Sequence, residues 1–196
     1  TAYEIVDCDW SSDVCSSDLS QRVLKKIGLF DPFLFLYHDD LDLGWRAAQI
    51  DIKSYYVPAS IVYHAESYNF RWSSKKFYWL ERNRRYCLLT HYSKNTYKRI
   101  FPYLLQTEIL VWIFYLTKGF VGPKIRAELD IIKNKKHIQQ KYDELESKKI
   151  IPDMELIKSF PDEIFVPKNV SGGFGSYIFN SLLKKLSRKA KNRIIK

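Results

Sequence analysis

The sequence is poor in cysteine, methionine and glycine: its 196 residues include three Cys, one Met and seven Gly. The cysteines, Cys8, Cys15 and Cys87, form no C-x-x-C pair and show no Cys/His spacing typical of zinc sites. The glycine-containing run 171–175 lacks the G-x-G-x-x-G pattern of dinucleotide-binding turns. These absences argue against a disulfide scaffold and a zinc module, and they make a reducing cytoplasm the expected compartment.

The N-terminal region lacks an initiator methionine and the basic, then apolar, pattern of a signal peptide. The segment from Asp9 to Leu19 has neither a helical nor a clear strand period. It resembles translated sequencing-adapter read-through, and we predict that it is not native sequence. The alternative is a polar loop rich in Ser and Asp.

Charge is distributed unevenly along the chain, whose net charge is +10. Residues 1–70 hold 5 Lys/Arg and 11 Asp/Glu, whereas residues 71–196 hold 27 and 11. The acidic part could bind a cation, and the basic part favours phosphates or an anionic membrane surface. Nucleic acid is not an expected partner, because the aromatic residues concentrate around the acidic segment and no known binding motif is present.

The acidic segment follows an apolar run in which Pro32 opposes helix formation. A helix is expected to begin at Asp39 or Asp40, with one of the two carboxylates as N-cap. Asp42 and Arg46 would then form an i, i+4 ion pair. Asp40 would stay at the helix start, where the helix dipole favours an ionised general base or metal ligand. The alternative is the ordinary acidic first turn of an exposed helix.

Two strands are predicted downstream of this helix, at 52–58 and 61–63, and the second would deliver His64. A short helix is predicted upstream over 20–28, with Gly28 just past its C-terminal end. Further helices are expected over 74–92, 124–149, 154–160 and 182–196, the first of them capped by Ser74.

These segments together resemble the inverting family 2 glycosyltransferases, in particular their bacterial rhamnosyltransferase-like branch. That branch carries G-x-F-D-x-x-F-F-x-Y-x-E-D-x-D-L-x-x-R, then Y-V-P-x-x-x-V-x-H, and later E-R-N-R. The matching stretches here are 28–46, 56–64 and 81–84, and the resemblance covers roughly residues 20 to 135. One departure is Asp39, which stands where the family usually has Glu.

The resemblance implies an α/β fold, with the C-terminal part of a GT-A domain in residues 1–92. Amphipathic helices would follow in 93–149, and a short helix, a linker and a basic helix in 150–196. The donor-nucleotide half of the enzyme would lie outside this chain, so the chain alone is expected to be inactive.

The resemblance also implies roles for individual residues. Asp40 would be the catalytic base, Asp39 would shape the site, and Arg46 would brace Asp42. His64 would help to hold Mg²⁺ or Mn²⁺ on the diphosphate of a nucleotide-sugar donor. The acceptor would be a surface glycan or a lipid-linked glycan. Residue chemistry adds expected substrate contacts: Trp72 lies in an aromatic loop suited to sugar faces, and the guanidinium groups of Arg82 and Arg84 suit phosphates. The alternatives are a loop packed by its own aromatic residues and a solvated basic face.

Two alternatives from other functional classes stay open. Asp39, Asp40, Asp42 and His64 could form the site of a metal-dependent hydrolase. Alternatively, the basic part could act as a non-catalytic module on a membrane surface.

The most apolar segment, 99–120, predicts a helix with one apolar face. Glu108 and Lys118 interrupt the segment, and a charge near the centre of a membrane-spanning helix costs about 2.5–3.5 kcal/mol on insertion scales. We therefore expect an interfacial helix, and a peripheral protein on the cytoplasmic face of the plasma membrane. The alternative is a core helix of a small helical subdomain.

Overall fold

The computed structural model describes residues 21–55, 73–161 and 175–195. These residues form eight helices. A loop over 28–38 joins the first two, and turns of one to four residues join the helices between 74 and 159. In chain order the helices are α1 (Gln21–Ile27), α2 (Asp39–Gln49), α3 (Ser74–His91), α4 (Lys94–Thr117), α5 (Val121–Lys133), α6 (Lys135–Lys148), α7 (Asp153–Ser159) and α8 (Gly175–Ile195).

The predicted α/β class is wrong: the described part of the chain is 79% helical and contains no strand, so it is all-α and not part of a GT-A sheet domain. The predicted strand 52–58 is irregular from Ile52 to Tyr55, and the rest of it lies outside the described residues. A strand needs a neighbour for its N–H and C=O groups, and none of the described residues pairs with this segment. Ile52 packs instead beside α1 and α2. The predicted strand 61–63 and the suspect segment from Asp9 to Leu19 also fall outside the described ranges.

The first two helices form a corner. α1 ends as predicted at Gly28, whose φ of 84° suits a residue without a Cβ and whose N–H donates to the Leu24 carbonyl at 2.8 Å. α1 and α2 then pack through the buried side chains of Ile27, Leu43 and Ala47.

α3 lies at the centre and packs along α5 and α6. It begins at Ser74 with Ser73, not Ser74, as its N-cap: the Ser73 hydroxyl accepts from the Lys76 N–H at 3.2 Å. The predicted single helix 124–149 is two helices, because Asn134 ends α5 by donating its side-chain amide to the Asp130 carbonyl at 2.8 Å. The main core cluster joins α3, α5, α6 and the loop before α2 through Leu34, Tyr86, Cys87, Ile131 and Ile138.

α4 begins at Lys94, five residues before the predicted start, and runs antiparallel to α8. The direction follows from two contacts: the rings of Phe114 and Phe179 lie 6.0 Å apart, and Ile100 meets Ile194 in a second core cluster. The predicted domain limits at 92 and 149 fall in turns between helices. Helices on the two sides of each limit pack together: α3 packs on α5 across position 92, and α4 packs on α8 across position 149.

Candidate functional site

The loop that leads into α2 has an unusual backbone. Phe35, Tyr37 and His38 have φ values of 57°, 66° and 64°, in the left-handed region that residues with a Cβ seldom adopt. Each such residue costs on the order of 1–3 kcal/mol and persists only where surrounding contacts determine it. The contacts that hold this loop therefore identify what positions the start of α2.

The side chain of Asn83, on α3, makes the main contacts with this loop. Its Nδ2 atom donates to the carbonyl oxygens of Leu34, Leu36 and Tyr37 at 2.8, 2.7 and 2.8 Å. Asn83 is fully buried, so water does not compete for these bonds. A single amide thus holds three carbonyl groups of the loop.

Arg82 strengthens the same attachment. Its Nη2 atom donates to the carbonyls of Phe33 and Leu34. Its guanidinium group lies 4.4 Å from the ring centre of Phe33 and 4.2 Å from that of Trp79. Arg84 is also committed internally, since it pairs with Glu81 and Glu108 at 2.6 Å. Both guanidinium groups therefore have internal partners, and the substrate contacts predicted for them stay a prediction.

The apolar run before the loop is fixed by Asp31. Its Oδ1 atom accepts from the Phe33 N–H at 2.9 Å, and its Oδ2 atom accepts from the Tyr86 hydroxyl at 2.6 Å. Burial and this hydrogen bond to Asp31 raise the pKa of Tyr86, so it remains a donor. Asp31 was not predicted as a site residue, because its partner Tyr86 is 55 positions away in the sequence.

Asp42 forms the buried floor beneath the start of α2. The predicted i, i+4 pair with Arg46 is confirmed, with Arg46 Nε donating to Asp42 Oδ2 at 2.9 Å. Asp42 Oδ1 accepts from Nε2 of His91 at 2.9 Å. Burial alone would raise the pKa of Asp42, but the His91 hydrogen bond and the Arg46 charge outweigh it and lower the pKa. Asp42 is therefore an ionised structural anchor, fully buried.

His91 was missed by the sequence analysis. It ends α3, and its ring stacks on Trp45 with centroids 4.7 Å apart and planes 10° apart. Burial lowers the pKa of His91 more than the Asp42 contact raises it, so the ring is neutral at pH 7. The sequence around His91 does not predict its hydrogen bond to Asp42, because the two residues are 49 positions apart.

The remaining donors of Arg46 join α2 to the end of α1. Nη1 donates to the carbonyl of Ile27, and Nη2 donates to that of Leu29 at 2.9 Å. Arg46 thus braces Asp42 and fixes the chain on both sides of Gly28.

Above this floor lies what we call the acidic mouth, the pair Asp39 and Asp40 in the first turn of α2. Neither is the N-cap, contrary to prediction: that position is held by His38, whose side chain makes no capping hydrogen bond. Asp40 is exposed and Asp39 is half-buried. Asp40 Oδ1 accepts from the adjacent Leu41 N–H at 2.7 Å, which leaves a solvent-accessible carboxylate at the positive end of a helix dipole.

The electrostatics of the mouth depend on its neighbour His38. Burial, followed by repulsion from the charge of Arg84, lowers the pKa of His38 to about 4, although Glu81 opposes the change. The imidazole is therefore neutral at pH 7 and adds no positive charge next to Asp39 and Asp40.

The predicted metal ligand His64 and the predicted sugar contact Trp72 lie outside the described residues. Among the described residues, neither Asp39 nor Asp40 belongs to a group spaced to hold a metal ion. Three carboxylates with that spacing do occur elsewhere, on Glu81, Glu108 and Glu128. The ammonium group of Lys124 forms ion pairs with all three carboxylates, so Lys124 occupies the place between them that a metal ion would need.

Comparisons with protein-family models, curated proteins and solved structures gave no match for this chain. The glycosyltransferase resemblance therefore depends on the sequence motifs alone.

Proposed function

We propose that this chain contributes the acceptor-activating part of an inverting glycosyl-transfer site, with Asp40 as the general base. The donor would be a nucleotide-sugar, and the acceptor a surface glycan or a lipid-linked glycan. The proposal concerns the reaction and its base and does not use the α/β fold that the motifs imply.

The observation that carries the proposal is the set of hydrogen bonds from Asn83 to the loop before α2. Two of the motif segments, 28–46 and 81–84, are far apart in sequence but form one hydrogen-bonded unit. Here they hold a strained loop in place, and that loop delivers the Asp40 carboxylate to the surface.

In the proposed reaction this chain supplies one positioned carboxylate, Asp40, as the general base. As the acceptor hydroxyl attacks the anomeric carbon, its proton passes to Asp40 while the new C–O bond forms. The bond between the anomeric carbon and the diphosphate breaks with its electron pair on the leaving group. Asp40 then releases the proton to solvent, to which it is exposed. General-base catalysis of this kind typically contributes about 10²–10⁴-fold.

The predicted Mg²⁺ or Mn²⁺ has no ligand set at the mouth among the described residues, so no step here passes through a metal ion. The same finding weakens the hydrolase alternative. That alternative needs Asp42 as a ligand, but both Asp42 oxygens already bond to Arg46 and His91 in a fully buried position.

The direct test uses the product of the complete natural gene. It would be incubated with a panel of UDP- and dTDP-sugars, Mn²⁺ and lipid-linked acceptors, and the products identified by mass spectrometry. We expect acceptors heavier by one sugar residue and release of the nucleoside diphosphate. Metal-dependent cleavage of phosphate esters, without transfer from any donor, would contradict the proposal and favour the hydrolase.

A further inference from the structure

The outward side of α4 carries an apolar stripe that no other described helix covers. We call it the α4 outer face. Its five large side chains are between 49% and 59% exposed and recur at intervals of three or four residues, so they lie along one side of the helix. They are Phe101, Leu105, Ile109, Ile113 and Leu116. Single exposed apolar residues are ordinary, but a contiguous stripe of this kind marks an interaction surface.

α4 does not fit the expected alternative of a core helix. The 24-residue helix is long and apolar enough to cross a membrane by length and composition, with a mean hydropathy of 1.4 over its most apolar window. In a core helix most of that window would be buried, yet only 11% of it is. The apolar composition is therefore not explained by packing inside the described part of the chain.

Glu108 does not interrupt this face, contrary to the sequence analysis. Its carboxylate points to the other side of α4, where it pairs with Arg84 at 2.6 Å and with Lys124. Burial would raise the pKa of Glu108, but the charge of Arg84 and the hydrogen bond from Lys124 outweigh it and lower the pKa. From Phe101 to Thr117, every exposed position of α4 is uncharged.

Basic residues flank this uncharged face at both ends. Lys94, Lys98 and Arg99 are exposed at the start of α4, and Lys118 is exposed just after its end. The neighbouring helix α8, which runs antiparallel to α4, adds the exposed side chains of Lys185, Arg188, Lys189 and Arg193. An apolar stripe between clusters of positive charge is complementary to a lipid bilayer with anionic headgroups.

We propose that the α4 outer face docks in the plane of an anionic bilayer surface, with its apolar side chains at the boundary between headgroups and acyl chains. A spanning orientation would place the Glu108, Arg84 and Lys124 cluster in hydrocarbon, at a high desolvation cost. A second copy of the chain would bring basic helix ends together in either orientation. The inference does not depend on glycosyl transfer, so either proposal can fail alone.

The test is flotation of the full chain with phosphatidylcholine vesicles, with and without phosphatidylglycerol, at low and high salt. We expect binding to the anionic vesicles that weakens but persists at high salt. Ile113→Glu should weaken binding by about tenfold or more, because it removes one apolar side chain that the bilayer would bury and adds a charge that the anionic surface repels. Ile150→Glu is the matched control: Ile150 is 70% exposed in the turn between α6 and α7, and its replacement should leave binding unchanged.

Circular dichroism would verify that both variants fold, and Lys98→Glu provides a second variant that should lower only the salt-sensitive part of the binding. Absence of flotation with anionic vesicles at low salt overturns the proposal. So does a dimer in solution that Ile113→Glu makes monomeric, because the face then serves a second copy. Resistance of the bound protein to alkaline carbonate extraction would also overturn it, in favour of a spanning helix.

Discussion

Asp42 and His91 lie 49 residues apart in sequence, yet a 2.9 Å hydrogen bond joins Asp42 Oδ1 to His91 Nε2 at a position where both side chains are fully buried. This contact ties α2 to the end of α3. It also distinguishes the three carboxylates in the first turn of α2, because Asp42 is buried and bonded whereas Asp39 is half-buried and Asp40 is exposed.

Asp42→Asn should therefore act mainly on stability. The change leaves Arg46 and His91 buried around a neutral group, and breaking a buried ion pair typically costs about 3–5 kcal/mol. Urea unfolding at pH 7 would measure the loss, with Asp143→Asn, at an exposed position on α6, as the control. A free energy of unfolding within about 1 kcal/mol of wild type, a size usual for surface changes, would show that the pair contributes little.

Asn83→Ala should loosen the loop before α2. It removes a hydrogen-bond donor from three carbonyls. The Leu34 carbonyl keeps the Leu36 N–H as a donor, so we expect a total cost of about 1–3 kcal/mol, the range for a buried polar group that loses its partner. Hydrogen exchange should become faster between Leu34 and Leu41 while the far end of α4 stays protected. Asn95→Ala, at an exposed position in the first turn of α4, is the matched control. Unchanged exchange in the loop would mean that Asn83 does not hold it.

Lys124→Met should destabilise the protein in a manner that depends on pH. Burial alone would raise the pKa of Glu81, but the hydrogen bonds and charges of Arg84 and Lys124 outweigh it, so the pKa is lowered. The ionised Glu81 therefore contributes stability above about pH 4.5, and this stability is lost as the pH falls through the lowered pKa. Without Lys124 the buried carboxylates lose a cation, and we expect a loss of about 3–5 kcal/mol at pH 7.

This deficit should shrink as the pH falls towards 4, because protonated carboxyl groups no longer need the ammonium group. Unfolding of wild type and Lys124→Met at several pH values would measure it, with Lys133→Met, at the exposed end of α5, as the control. A deficit that is constant between pH 7 and pH 4 would contradict the network.

His38 should make stability fall on mild acidification. Its folded pKa of about 4 is below the ordinary 6.5, so between these values the unfolded chain binds more protons and stability decreases as pH decreases. One such proton gives a slope of up to about 1.4 kcal/mol per pH unit. His38→Asn, which tolerates the left-handed backbone, should flatten the profile, although His91 leaves some slope. His137→Asn, at an exposed site, is the control and should leave the profile of stability against pH unchanged. Equal slopes in the two variants would contradict the lowered pKa of His38.

Features set by neighbours within about four residues could be predicted from the sequence. Examples are the end of α1 at Gly28, the helix after Asp39 and the pair of Asp42 with Arg46. Contacts that cross the fold could not, because neither Asn83 nor His91 shows locally which loop or carboxylate it meets. The predicted fold class was wrong for a related reason: a strand-like pattern such as 52–58 does not show whether a partner strand exists.

Glu108 is a second example of a contact that the sequence could not predict. In the sequence it appeared to break an apolar segment, since position alone does not show that Arg84 and Lys124 neutralise it from neighbouring helices. The position of α3 and α5 determines that the Glu108 carboxylate lies on the packed side of α4 and not on its outer face.

The central claim is that Asp40 is the base of a glycosyl transfer, and single-turnover transfer by the complete natural protein tests it most directly. Wild type would be compared with Asp40→Asn and with the control Asp143→Asn, and nucleotide-sugar binding would be measured by calorimetry in parallel. We predict that Asp40→Asn slows transfer by at least about 10²-fold while donor binding and the control stay at wild-type levels. Transfer by Asp40→Asn within tenfold of wild type would contradict the claim.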